Sequence, residues 1–252
     1  MTQKNTKNAT KDGTLFDDNH SLQCAITKAR RTIKIPDTLS IETLITSYLI
    51  ALHGGRDKRK KKIHRFFSLI GLRDYGDKEV EAFGAGYRKA YRNSRRATPG
   101  TIETLIKLQE MGYKITIITK GLTDSQQENI DEIGIAQLVD RLFASCELGW
   151  EKPGSRIFHH AMGEYDITPE MLKGKGRPYM VGDDMTRDVH GAMDAGMEAI
   201  VYLPACAGAA PGLSTSLPVI HDNMTQLLYI IKKDRRDGRN NGRAKRWGLF
   251  CF

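Results

Sequence analysis

The chain of 252 residues is long enough for one large domain, or for a core domain with a modest insert, and its formal net charge is +9. Two short basic runs, residues 56–62 and 232–247, carry this charge, so the rest of the chain is close to neutral. Such runs are most often solvated loops or tails, and nucleic acid is therefore not an expected partner. No apolar run approaches the roughly 20 residues that cross a bilayer, and the N-terminus lacks a secretory pattern. The four cysteines are scattered, and together these features predict a cytoplasmic protein without a membrane partner.

The first 95 residues divide into a leading segment, residues 1–20, and a helical stretch, residues 21–95. The helical stretch has apolar residues at three- and four-residue spacing and no convincing strand. The residues with this spacing are Ile41, Leu44, Ile45, Tyr48, Leu49 and Leu52, then Ile63, Phe66, Phe67 and Ile70, and then Val80, Phe83, Tyr87 and Tyr91. A helical insert at this place predicts an all-helical cap that covers an active site.

From residue 97 onward, helix and strand patterns alternate. Pro99 fits the first turn of a helix that closes at Gly112. The elements that follow are strand 114–119, helix 123–133, strand 142–144, helix 155–165, strand 179–181, helix 187–195 and strand 199–203. This alternation predicts an α/β class over residues 96–233, with a Rossmann-like parallel sheet and helices on both faces. Residues 234–252 are rich in Lys, Arg, Asn and Gly, which predicts a disordered basic tail.

The strand at 179–181 runs into Gly182 and then presents three carboxylates, Asp183, Asp184 and Asp188. In an open α/β sheet the ligand site lies beyond the carboxyl ends of the strands, so these acids are expected to face a pocket. Carboxylates there would hold a hard divalent cation such as Mg²⁺ together with the phosphate oxygens of a substrate. The alternative is that the acids cap the helix that follows, and the Asp183-Asp184 pair alone does not decide between the two.

Four segments with chemically useful side chains follow one another in the chain. They are Asp12-Gly13-Thr14-Leu15, Thr119-Lys120-Gly121, Glu151-Lys152-Pro153 and the acidic turn Gly182–Asp188. In this order and spacing they resemble the motifs of the haloacid dehalogenase-like hydrolase superfamily, and in particular its phosphatases with a helical cap inserted after the first motif. The resemblance covers residues 12 to about 230 and implies hydrolysis of a small phosphorylated substrate.

The resemblance implies catalytic roles for three of these residues. Asp12 would protonate the leaving oxygen and then activate the attacking water. Thr119 would donate a hydrogen bond to the phosphoryl oxygens, and Lys152 would neutralise their charge. Taken one at a time, Thr119 could equally be a strand-end threonine and Lys152 a solvated lysine; the shared arrangement favours the catalytic roles.

The resemblance also implies a cofactor and a phosphate pocket. Asp183 would hold Mg²⁺, with Asp184 or Asp188 as a further ligand or as a side chain that orients the first. The residues expected around the phosphate are Gly13, Thr14, Lys120 and Gly121.

One position departs from the pattern of the family. The family reads Asp-x-Asp-Gly-Thr, whereas this chain has Thr10 at the place of the nucleophilic aspartate. A hydroxyl cannot form the acyl-phosphate intermediate or ligate a metal as a carboxylate does. The sequence therefore supports two functions: a Mg²⁺-dependent phosphatase, inactive if Thr10 cannot serve, or a catalytically dead protein of this fold that binds phosphate or another protein.

Overall fold

The computed structural model describes residues 13–52, 59–173, 176–204 and 216–236. These residues belong to two compact units. One is the continuous segment Asp18–Arg96, and the other combines the residues before Asp18 with those from Ala97 onward. The chain leaves and re-enters the second unit at adjacent points, because Phe16 and Ala97 form an antiparallel bridge and the Thr98 amide donates to the Leu15 carbonyl at 2.7 Å.

The described residues of the segment Asp18–Arg96 form helices joined by turns. They are α1 (Asp18–Thr32), α2 (Ile41–Leu52), α3 (Arg59–Leu69) and α4 (Asp77–Asn93). Their shared core is aromatic, with Phe66, Phe67 and Phe83 completely buried. The apolar stripes that the sequence places at helical spacing lie on α2, α3 and α4, and the unit extends slightly beyond the expected bounds of 21–95 at both ends.

The second unit alternates helices with parallel strands. Its elements are α5 (Thr101–Glu110), β1 (Thr116–Thr119), α6 (Thr123–Glu132), β2 (Arg141–Ala144), α7 (Ser145–Leu148), α8 (Ser155–Gly163), β3 (Tyr179–Gly182), a π-helix (Met185–His190), α9 (Gly191–Asp194), β4 (Glu198–Leu203), β5 (Val219–His221) and α10 (Gln226–Arg236). Strand β1 pairs with β2, and β4 lies between β3 and β5, all in parallel. The described strands thus form two parallel groups instead of the one sheet expected across residues 97–220.

Helices cover both faces of these strands. Neighbouring residues of one strand point to opposite sides, so they pack against different helices. Ile117 of β1 and Val181 of β3 belong to the apolar cluster that includes α5 and α10. Ile118 and Met180, one position away, belong to the cluster that includes α8 and α9. The α/β class with helices on both faces, expected from the strand–helix alternation, is therefore confirmed.

Several element boundaries differ from the prediction. Helix α5 begins at Thr101, after Gly100 at φ +76°, so Pro99 precedes the helix instead of lying in its first turn. The helix expected at 187–195 begins as a π-helix at Met185 and continues as α9. Strand β5 and helix α10 were not predicted, and α10 extends to Arg236, so the first three residues of the expected tail at 234–252 are helical. The rest of that tail lies outside the described residues. No helix in the described part of the chain is long and apolar enough to cross a membrane.

Candidate functional site

Two groups of the predicted site residues lie at the carboxyl ends of β1 and β3. Thr119 is the last residue of β1, and Gly182 is the last residue of β3. Both strands are buried along their whole length. The turns after them carry Lys120 and Gly121 in one case and the three aspartates in the other. This is the edge at which ligands bind in open α/β sheets.

Asp183 contacts the first motif. The Thr14 hydroxyl donates to Asp183 Oδ1 at 3.1 Å, although the two residues are 169 positions apart. A Cβ at Gly13 would lie 3.0 Å from Asp183 Oδ2, so the glycine permits this close approach of the backbone. Burial, with a contribution from the nearby Asp188 carboxylate, raises the pKa of Asp183 to about 6, against the hydrogen bond from Thr14. The folded protein thus disfavours the ionised form of Asp183, mainly through burial.

Asp188 forms a buried ion pair with Lys152. Lys152 Nζ lies 2.7 Å from Asp188 Oδ1, and the two side chains are only 7% and 4% exposed. The other oxygen, Oδ2, accepts the backbone N–H of Asp184 at 3.1 Å. A Cβ at Gly182 would lie 2.3 Å from the Asp188 Cβ, so only glycine fits at the end of β3 with Asp188 in this position.

Asp184 has a different environment from its two neighbours. Its carboxylate accepts the backbone N–H groups of Thr186 and Arg187 at 3.0 and 2.8 Å, and the Arg187 Nε at 2.8 Å. Burial opposes ionisation, but these bonds from Arg187 and Thr186 outweigh it and lower the pKa of Asp184. The carboxylate is the N-cap of the π-helix. These contacts favour the capping alternative for Asp184 over the role of a metal ligand.

The π-helix after the cap sets the position of Asp188. The Asp184 carbonyl accepts the N–H of both Asp188, at 2.9 Å, and Val189, at 3.2 Å. The second bond spans five residues and widens the turn. Widened turns of this type often occur at functional sites. Here the widened turn holds Asp188 against β3 and beside Lys152.

Thr119 has a buried hydroxyl for which the described residues supply no partner. Its side chain is 2% exposed, and no hydrogen bond to its Oγ1 exists within the described ranges. Two residues later, Gly121 at φ +129° donates its N–H to the Ser145 hydroxyl at 3.2 Å. Ser145 was not predicted from the sequence, because a serine after a short strand carries no distinctive pattern.

Lys120 is linked to Lys152 through an ion pair with Glu151. Lys120 Nζ lies 2.7 Å from Glu151 Oε2, and Glu151 directly precedes Lys152. Glu151 received no role from the sequence, although it stands in the motif with Lys152. The two adjacent residues thus connect the end of β1 to the π-helix. The sequence signal for Glu151 was its position directly before Lys152, a lysine that is expected to bind anions.

Direct contacts and short chain links therefore join all four motifs in the described residues. Gly13 and Thr14 meet Asp183, Asp188 meets Lys152, and Glu151 meets Lys120. Thr10 and Asp12 lie outside the described residues, so their predicted roles stay predictions. Within the residues that the structure describes, no three His, Cys, Asp or Glu side chains are grouped closely enough to hold a metal ion. The three aspartates consequently do not form one ligand set, because Asp184 faces its own helix.

Two curated proteins are similar in sequence to part of this chain. A glyceraldehyde 3-phosphate phosphatase of Methanothermobacter thermautotrophicus is 39% identical over 106 residues, which are 42% of this chain and 44% of the relative. A ribulose-1,5-bisphosphate 5-phosphatase of Halopiger xanaduensis is 33% identical over 124 residues, 49% of either protein. The matches thus span about half the length of these curated relatives.

A solved structure and a family match extend the comparison to most of the chain. The crystal structure of the magnesium-bound HAD-hydrolase YfnB of Bacillus subtilis superimposes with a TM-score of 0.59 at 18% identity, covering 86% of this chain and 93% of that one, a level of identity that shows the fold alone. Residues 11–202 match the family described as haloacid dehalogenase-like hydrolase. The match covers more than half of the sequence, so the resemblance seen in the four motifs is confirmed: the chain belongs to the haloacid dehalogenase-like hydrolase family.

Proposed function

We propose that the α/β unit binds the phosphate group of a small phosphorylated metabolite and hydrolyses its ester with the help of Mg²⁺, at a rate that Thr10 limits. The observation that supports this most is the buried pair of Lys152 and Asp188 beside the carboxylate of Asp183. A buried ammonium next to two carboxylates, at the carboxyl ends of parallel strands, is suited to an anionic ligand that brings a divalent cation with it. The curated relatives are phosphatases of small phosphorylated sugars, which supports the substrate class.

The phosphate would lie between the end of β1 and Lys152. The Thr119 hydroxyl, buried and unpartnered among the described residues, would donate to a phosphoryl oxygen and so gain the hydrogen bond it lacks. Lys152 would supply positive charge, since Asp188 holds its ammonium group in place. The amides of Gly13 and Thr14 and the ammonium of Lys120 are the further donors expected around the phosphate.

The carboxylates fit a magnesium ion by their chemistry. Mg²⁺ is usually bound through one or two carboxylates and substrate phosphate oxygens, which agrees with Asp183 as ligand and Asp188 as its close neighbour. Burial and the nearby Asp188 carboxylate both raise the pKa of Asp183, and a divalent cation bound to Asp183 would offset both by favouring its ionised form. Bound there, Mg²⁺ would neutralise charge on the phosphoryl oxygens. Asp184 would contribute only by capping the helix.

Proton transfer would fall to Asp12. It follows two positions after the residue that carries the nucleophile in the family, and it would give its proton to the leaving oxygen. Thr10 stands at the nucleophile position and offers no carboxylate. Loss of a nucleophile lowers the rate by a factor on the order of 10⁶ in a well-studied hydrolase. Turnover by this chain is therefore expected to be very slow, while phosphate binding remains.

A protein of this family that binds phosphate without hydrolysing it is the second candidate. The substitution at Thr10 is the specific observation that favours it. The two candidates share the pocket and differ only in turnover.

The experiment is a steady-state assay of the full chain with glyceraldehyde 3-phosphate and p-nitrophenyl phosphate, with and without Mg²⁺, beside calorimetric titration of inorganic phosphate. The variants are Thr10→Asp and, as a matched control without charge, Thr10→Asn. We expect phosphate binding by all three chains and Mg²⁺-dependent hydrolysis that rises at least about 100-fold only in Thr10→Asp. Absence of phosphate binding would overturn the proposal. Two further variants test the alternative that Asp17, a carboxylate shortly after the first motif, is the nucleophile: strong turnover that survives Thr10→Ala but is lost in Asp17→Asn would support it.

A further inference from the structure

A second concave site lies wholly within the helical unit, between α3 and α4. The cleft has a volume of about 410 Å³, within the range of small-molecule pockets. Its apolar floor includes Ile63, Val80 and Gly84, and its rim carries Arg59, Lys60 and Arg88. The rim takes up part of the basic run at residues 56–62, to which the phosphatase function assigns no role.

The basic side chains of the rim differ in whether a carboxylate forms an ion pair with them. Lys60 Nζ lies 2.6 Å from Glu81 Oε1 and 3.5 Å from Asp77 Oδ2, so local carboxylates neutralise it. Among the residues that the structure describes, Arg59 and Arg88 form no ion pair with a carboxylate. The rim therefore carries two guanidinium groups that form no ion pair among the described residues, beside the paired Lys60 and Glu81.

The two guanidinium groups belong to different helices, Arg59 to α3 and Arg88 to α4, and both line the same cleft. The burial of Tyr48 raises the pKa of its hydroxyl to about 12, while the positive charges of Arg59 and Arg88 both act to lower it.

Gly84 makes room for this arrangement. A Cβ at that position would lie 3.1 Å from Ile63 Cδ1 and 3.4 Å from Arg88 Nη1. With glycine there, the Arg88 guanidinium lies along α4 at the edge of the apolar floor. A planar donor group next to an apolar surface is suited to a ligand that has an oxyanion at one end and an apolar body at the other.

We propose that the cleft between α3 and α4 is a binding site for a small organic dianion, a phosphate or a pair of carboxylates on an apolar body, held by Arg59 and Arg88. The cleft is built from residues of the helical unit only, so this site shares no residue with the phosphate site at the ends of β1 and β3. A solvated basic run would need neither the apolar floor nor the convergence of two arginines from different helices.

The first test is residue-specific protection in the full chain. Phenylglyoxal modifies accessible guanidinium groups, and peptide mass spectrometry gives the extent at each arginine. We expect phenylphosphonate to slow modification of Arg59 and Arg88 at least about fivefold and to leave Arg65 and Arg92, which lie on the same helices and outside the cleft, unchanged. Equal protection of all four arginines, or of none, would overturn the proposal.

The second test separates the site from general electrostatics and from the phosphate site. Phenylphosphonate affinity is measured by calorimetry in Arg59→Gln, Arg88→Gln, Arg88→Lys and the control Lys89→Gln, which has the same charge change on the same helix as Arg88→Gln. All four are made in the Thr119→Val background to weaken binding at β1. We expect a loss of about tenfold or more in both Gln variants, a smaller loss in Arg88→Lys, and a change within twofold in Lys89→Gln.

Three results of the calorimetry would count against the site. Affinity that falls equally in Lys89→Gln would mean a diffuse charge effect. Loss of all binding on introducing Thr119→Val would place the ligand in the α/β unit. Displacement of phenylphosphonate by single-stranded oligonucleotide, with an affinity that depends steeply on salt and on Lys89, would identify a polynucleotide instead of a small dianion.

Discussion

Lys152 and Asp188 form an ion pair of 2.7 Å in which both side chains are almost fully buried. The two residues come from different motifs, and Asp188 also accepts the Asp184 amide. The pair thus fixes the position of the lysine that is proposed to face the phosphate. A second pair of the same length, Lys114 with Asp140, is more exposed and serves as a reference for the same chemistry near water.

Removal of one partner of the buried pair is expected to be strongly destabilising. Lys152→Met should lower the free energy of unfolding by about 3–5 kcal/mol, because Asp188 would remain as an uncompensated buried charge. Lys114→Met should cost about 1 kcal/mol or less, since the Lys114–Asp140 pair is screened by solvent. Urea denaturation of both variants measures this, and equal losses would contradict the prediction. The double variant with Asp188→Leu should recover much of the stability lost in Lys152→Met.

Thr119→Val should separate function from stability. The substitution removes a buried hydroxyl that has no partner among the described residues, so the unfolding free energy should stay the same or rise by about 1 kcal/mol. Phosphate binding should weaken at least about tenfold, because the proposed donor is lost. On the same strand, Thr116 shares a hydrogen bond of 2.7 Å with the Tyr165 hydroxyl, and Thr116→Val should show the reverse: lower stability and unchanged phosphate binding. A Thr119→Val chain that binds phosphate normally would remove Thr119 from the site.

The ionisation of Asp183 should affect the pH dependence of stability. Its pKa in the folded protein is about 6 against an ordinary value of 3.8, so the folded state binds a proton that the unfolded state releases at the same pH. By linkage, this group lowers stability at pH 7, and the loss is relieved as the pH falls through about 6 towards 4. Asp183→Asn should therefore raise the unfolding free energy at pH 7 by roughly 1–3 kcal/mol in the absence of metal. It should also flatten the curve between pH 7 and pH 4, as measured by urea denaturation at several pH values.

Substitutions of Asp183 and of Asp184 should differ in their effect on stabilisation by magnesium. Mg²⁺ should raise the melting temperature of the unmodified chain and of Asp184→Ala, but not of Asp183→Asn, since a ligand that binds only the folded state stabilises it. Asp184→Ala should instead cost about 0.5–2 kcal/mol of stability through loss of the helix cap. A loss of the magnesium response in Asp184→Ala with an intact response in Asp183→Asn would reverse the assignment of the two residues.

Local patterns in the sequence were sufficient for strands β1 to β4 and for most helices. The short, largely apolar run Tyr179–Gly182 predicts a buried strand, and the glycine at its end reflects a local steric requirement. The apolar spacing in α2, α3 and α4 likewise follows from the helical repeat. Strand β5 and helix α10 were missed because β5 has three residues and the apolar run of α10 continues into basic residues that resemble a tail.

Only the tertiary structure decided the environment of each of the three carboxylates. Asp183, Asp184 and Asp188 are chemically identical in the sequence, and their roles depend on groups brought close by folding. The Thr14 hydroxyl, 169 residues away, reaches Asp183, and Lys152 reaches Asp188, whereas Asp184 turns to the amides of its own helix. The sequence by itself determined the family and the candidate site residues, because motif order and residue type are local properties of the chain. The environment of each acid is a property of contacts between distant segments, and those exist only in the folded protein.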